Sequence, residues 1–64
     1  MKYPNVEVQL SGEDGNAFIM VSRTRRALRK AGVPSGEIEQ FTNEVTAGNY
    51  EDVIRVVGEW VDVS

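Results

Sequence analysis

The chain has 64 residues, with seven Lys or Arg against ten Asp or Glu and a formal charge of −3. This length gives one domain, residues 1–64, that buries only about 60% of its unfolded surface and so has a thin stability margin. With no cysteine and no histidine, disulfides, thiolate metal sites and the usual base for nucleophilic catalysis are all excluded. An apolar fraction of 41% and a charged fraction of 27% belong to an ordinary globular protein.

Residues 4–11 open the chain with Val6, Val8 and Leu10 alternating with Glu7, Gln9 and Ser11. This is the period of a strand with one buried face, and Pro4 at its start suits a residue that cannot donate inside a ladder. Gly12-Glu13-Asp14-Gly15-Asn16 reads as a turn. It stands where a phosphate-cradling loop stands, between strand and helix, but it lacks both glycine-rich spacings, and Glu13 and Asp14 repel phosphate. The reading is a capped turn.

A helix is predicted over residues 16–31, capped by Asp14 or Asn16. Ala17, Met20, Val21, Thr24, Ala27, Leu28 and Ala31 share one of its faces. Gly32 suits the position after its end, and Pro34 prevents continuation. A second helix follows, with Ser35 as its cap, Ile38, Phe41 and Val45 as its apolar stripe, and Ala47-Gly48 at its end. Asn49 caps a third, with Asp52 three residues on. Tyr50, Val53, Ile54, Val57, Trp60 and Val61 form its stripe, and Glu51–Arg55 and Arg55–Glu59 are favourable neighbours on the far side.

Residues 61–63 fit two patterns, since Val61 continues the helical stripe while Val61 and Val63 alternate like a strand. A lone first strand would leave its backbone groups unpaired. Either residues 61–63 pair with it within the chain, which is preferred, or two chains pair their first strands. The fold class is α+β: an N-terminal strand, three helices and a short C-terminal strand. The predicted core is Val6, Val8, Leu10, Val21, Leu28, Ile38, Phe41, Val45, Val53, Ile54, Val57 and Trp60.

Five of the seven cations, Arg23, Arg25, Arg26, Arg29 and Lys30, crowd the second half of the first helix. On the wheel Arg23, Arg26 and Lys30 line up beside Ile19, while Arg25 and Arg29 flank Phe18. Arg25–Arg29 and Arg26–Lys30 are like charges four apart, each costing about 0.2–0.5 kcal/mol in an isolated helix. The offsetting charge has three sources: the helix C-terminal dipole, the acids of the later helices (Glu37, Glu39, Glu44, Glu51, Asp52), or an anionic partner.

Candidate binding residues are therefore Ile19, Arg23, Arg26, Arg29 and Lys30, with Phe18 and Trp60 as candidate interface residues. Trp60 also has the ordinary reading of a core aromatic. No motif supports an enzyme, and no cofactor or metal is expected. The expected function is a small protein-interaction or self-associating module acting through the basic face of the first helix. Nucleic acid is the second candidate partner, disfavoured by an isoelectric point near 4.7 and by the lack of a helix-turn-helix pattern. No stretch suits a bilayer or a signal peptide, so a cytoplasmic location is expected by default.

The run from Tyr3 to Phe18 (YPNVEVQLSGEDGNAF), together with Ala27-Leu28-Arg29, Ala31-Gly32-Val33 and Trp60-Val61, resembles a group of short bacterial and phage-associated proteins. The likeness covers nearly the whole chain. It implies a complete natural protein, and it brings no catalytic or binding residues with it.

Overall fold

The computed structural model describes residues 2–9 and 17–63. The order is β1 (Tyr3–Val8), α1 (Ala17–Lys30), α2 (Ser35–Val45), α3 (Tyr50–Trp60) and β2 (Val61–Val63). The expected α+β architecture is present, and β1 and β2 form a two-stranded sheet. Leu10, the turn over residues 11–16 and the Asp14 or Asn16 cap lie outside the described residues. Among those described, no helix is long and apolar enough to cross a membrane.

The strands run parallel. Parallel neighbours need a crossover of a dozen residues or more, and here the three helices make it. The register pairs Tyr3 with Val61, Glu7 with Asp62 and Val8 with Val63. Pro4, Asn5 and Val6 therefore bulge between the first two pairs, which removes the ladder donor that Pro4 lacks from the pairing. The Lys2 amide reaches past the sheet to the Glu59 carbonyl at 2.8 Å.

The double pattern at residue 61 has a simple resolution. Val61 still donates its amide to the Val57 carbonyl as the C-cap of α3, yet its φ and ψ of −134° and 168° are extended. Helix and strand meet there without a loop, and the buried Val61 side chain serves the core from the strand.

Both of the other helix junctions are set by local chemistry. At the end of α1, Gly32 adopts φ +85°, Val33 N–H donates to Leu28 and Gly32 N–H to Arg29, both at 3.0 Å. This pair of bonds is a Schellman motif, and it folds Val33 back onto the core. At the start of α3, the Asn49 side chain accepts from Asp52 N–H at 3.2 Å and Asp52 accepts from Asn49 N–H at 3.1 Å, a reciprocal capping box. A Cβ at Gly48 would collide with the Asp52 carboxylate, so that box also requires the glycine before it.

The start of α2 differs from expectation. Ser35 is its first residue, the N-cap position is Pro34 (φ −58°, ψ 146°), and no side chain caps it. The Pro34 carbonyl instead accepts from the Glu37 and Ile38 amides at 3.0 and 3.2 Å. Proline's fixed φ sets the entry angle that a serine cap would otherwise set.

The core consists of Val6 and Val8 from β1, Met20 and Leu28 from α1, Ile38, Phe41 and Val45 from α2, Val53, Val56, Val57 and Trp60 from α3, and Val61. Two expectations need correction. Ile54 is 48% exposed, whereas Val56 is 3% exposed; the buried arc of α3 is rotated toward Val56 because the helix must face α1, α2 and the sheet at once. Val21 is only half-buried, and Met20 takes the core position beside Thr24. The Thr24 hydroxyl, buried in this apolar setting, donates to the Met20 carbonyl at 2.8 Å.

Trp60 lies at the centre of the packing. Its ring meets Phe41 edge-on at 5.5 Å and Tyr3 at 5.9 Å, and its indole N–H donates to Glu44 Oε1 at 3.1 Å. Lys2 Nζ sits 4.3 Å from the ring centroid and 3.1 Å from Glu37 Oε1. The Tyr3 hydroxyl donates to the same oxygen at 2.9 Å. Hydrogen bonds from Lys2 and then Tyr3 hold the Glu37 carboxyl below the usual carboxylate range. The bond to Glu37, burial and the carboxylate charge push the Tyr3 hydroxyl above the usual phenol value.

Two outcomes follow. Val56→Ala should cost about 1.5–3 kcal/mol in urea unfolding, because it removes buried carbon and leaves a cavity, while Ile54→Ala should stay within about 0.5 kcal/mol. For the latch, a lowered carboxylate pKa adds stability that is present above the unfolded value, about 4, and is lost as pH falls through the folded one. The raised Tyr3 adds stability that is lost as pH rises past about 10. The gap in melting temperature between wild type and Glu37→Gln should therefore narrow as pH drops below about 4, and a gap constant with pH would show that the carboxylate charge contributes nothing.

Candidate binding surface on the first helix

The core stripe of α1 fixes where everything else on it must point. With Met20, Thr24 and Leu28 turned inward, Arg23, Arg25, Arg26, Arg29 and Lys30 are all exposed. Arg29 and Lys30 stand in the last turn, where the helix dipole favours cations.

The five cations divide into two flanks with different neighbours. Arg23, Arg26 and Lys30 border a groove shared with Glu7, Val8 and Gln9 of the β1 side. Arg25 and Arg29 border a second hollow against α2, with Ser35, Glu39 and Thr42. The wheel places the same residues in the same two groups, but only the packed structure assigns each group its neighbour. Arg23 also donates through a guanidinium nitrogen to the Gln9 carbonyl at 3.3 Å, tying the helix to the end of the strand.

Three of the five acids named as compensators, Glu37, Glu44 and Asp52, are engaged elsewhere. Glu37 holds Lys2 and Tyr3, and Glu44 accepts from Trp60 and from Gln40 at 3.0 Å. Asp52 serves the capping box and lies 3.6 Å from Arg55, which also bonds Glu59 at 3.1 Å. The expected Arg55–Glu59 pair is present, and Asp52 replaces Glu51 as the other partner. Among the described residues, Arg25, Arg26, Arg29 and Lys30 form no ion pair. Glu39 lines the same hollow as Arg25 and Arg29 without closing a bridge.

The apolar members of the predicted surface separate. Ile19 is half-buried, and with Phe18, Ser22, Arg23 and Arg26 it lines a shallow hollow on the helix. Phe18 is 83% exposed. Trp60 is 3% exposed and faces the interior, so its role as an interface anchor is replaced by the ordinary core reading. Tyr50 and Ile54, placed on the apolar stripe of α3 by periodicity, are surface residues on that helix. Tyr50 joins Ala17, Phe18, Val21 and Val53 around an apolar hollow that periodicity did not single out. Its signal was present in the surplus of apolar positions on α3, more than one helix face can bury.

Among the described residues, no group of three or more acidic side chains is placed to hold a metal ion. The arrangement offers charge and shape. Comparisons with protein-family models, with curated proteins and with solved structures found no match.

Proposed function

We propose that this chain is a small non-enzymatic interaction module that binds an acidic protein partner through the basic face of α1. The observation that carries this reading is the mismatch of charge within the fold. Four exposed cations of α1 have no ion pair among the described residues, while Glu37, Asp52 and Glu59 are matched to Lys2 and Arg55. Like charges at Arg25–Arg29 and Arg26–Lys30 weaken the helix slightly, and a partner's carboxylates reverse that penalty on binding. Complementary charge of this kind favours fast, orientable association.

A protein partner fits better than nucleic acid. Phosphate-backbone binding draws its affinity from many cation contacts, about six to ten in strong cases. Here one helix supplies five cations on two flanks, within a molecule of net charge −3. A short acidic segment can meet Arg26 and Lys30 on the β1 side without lying along α2 and α3.

The test is a titration of the labelled chain with polyglutamate and, separately, with a short DNA duplex, for wild type and for Arg23→Ala/Arg26→Ala/Lys30→Ala. Exposed charge pairs are worth about 0.2–1 kcal/mol each, so losing three should weaken polyglutamate binding about tenfold. Amide shifts should gather along residues 18–30 and fade with salt. An absence of shifts there, or binding indifferent to salt, would overturn the reading. Preference for the duplex would transfer the surface to nucleic acid.

A further inference from the structure

The sheet has two strands only, so β1 pairs with β2 along one edge and has no ladder partner along the other among the described residues. Where that second edge lies can be read from the grooves. Glu7, Val8 and Gln9 together line the groove that carries Arg23, Arg26, Ala27 and Lys30, with Arg23 bonded to the Gln9 carbonyl at one end. Successive strand residues point to opposite faces, so a groove touched by three in a row runs along the backbone edge and not across a face. A second groove continues it, bordered by residues 2–6 and 31–34. Neither groove is lined by β2. The open edge of β1 thus faces α1, and Arg26 and Lys30 stand beside it.

We infer that this groove takes an extended acidic peptide as a third strand. The peptide's backbone pairs with the open edge of β1, and the carboxylates on its α1-facing side meet Arg26 and Lys30. This rests on the reading that α1 binds an acidic protein partner, and it adds the partner's conformation and the second half of its site. Strand addition supplies affinity through main-chain bonds and selectivity through alternate side chains. Charge is what selects the occupant. A second copy of this chain adding its own β1 would bring its own Arg26 and Lys30 to the same seam, setting like charges against like. An acidic strand brings the opposite sign. The bulge at Pro4–Val6 limits regular pairing to Glu7–Gln9 among the described residues, so the paired segment is short, about three residues or 10 Å, and the peptide competes with Arg23 for the Gln9 carbonyl.

The probe is a peptide of about eight residues alternating Thr and Glu, compared with two analogues, one N-methylated at every Thr and one at every Glu. In an added strand, alternate amides face the sheet and the rest face solvent. One analogue should therefore lose about tenfold or more in affinity while the other binds like the parent. The parent should shift and protect amides of residues 7–9 together with those of residues 26–30, and Arg26→Ala/Lys30→Ala should weaken it. If both analogues bind like the parent, or shifts stay within residues 18–30, strand addition is wrong while the acidic-partner reading stands. If neither the peptide nor polyglutamate binds, both fail. If light scattering shows the free chain dimerising with β1 amides protected, a second copy occupies the edge and the inference is overturned.

Discussion

The fold depends on bringing the two ends of the chain side by side, and Trp60 is the residue on which that closure turns. A six-residue strand and a three-residue strand cannot hold each other by ladder bonds alone, since two-stranded sheets are marginal in water. Trp60 stands at the last position of α3, directly before β2, with Tyr3, Lys2 and Phe41 of α2 packed around its ring. One side chain therefore ties β1, α2 and α3 together at the point where the helix becomes a strand. Its N–H finds Glu44, and among the described residues no buried side-chain polar atom lacks a partner. In a domain this small a single buried aromatic is a large part of the core.

The same closure accounts for the distribution of charge. Lys2 is drawn to Trp60 and Glu37, and Arg55 is held between Asp52 and Glu59. The acids of α2 and α3 are thereby largely committed to the latch, the cap and their own helix. What remains is a helix rich in cations, lying along the sheet edge that β2 does not cover. Basic face and open edge adjoin because α1 must pack its Met20–Thr24–Leu28 stripe against the core, which turns Arg26 and Lys30 toward β1. The juxtaposition is a by-product of burial geometry.

Much of this was legible from residue order. The alternation at Val6 and Val8, the glycine after α1, the Asn49–Asp52 cap and the Ile38–Phe41–Val45 stripe each act over a few residues, and local physics is written locally. The two flanks of cations on α1 were legible for the same reason, since the helical period fixes relative directions. Ile54 and Val56 show where such reasoning ends. Both are apolar on a helix with more apolar positions than one face can bury, and periodicity cannot say which arc the neighbours will cover. Ser35 shows a second limit, because a residue suited to capping is bypassed when the proline before it already sets the entry angle.

The chain by itself therefore determined its elements, their approximate ends, the inward faces of α1 and α2, and the gathering of cations on one helix. These follow from steric preference, period and capping, all of which operate between residues close in sequence. Only the tertiary structure decided that Val61 starts a strand parallel to β1, that Val56 and not Ile54 is interior, that Glu37, Glu44 and Asp52 are engaged away from α1, and that Arg26 and Lys30 border an open sheet edge. Each of these depends on contacts between residues far apart in sequence, whose meeting is set by how three helices fill the space over two strands.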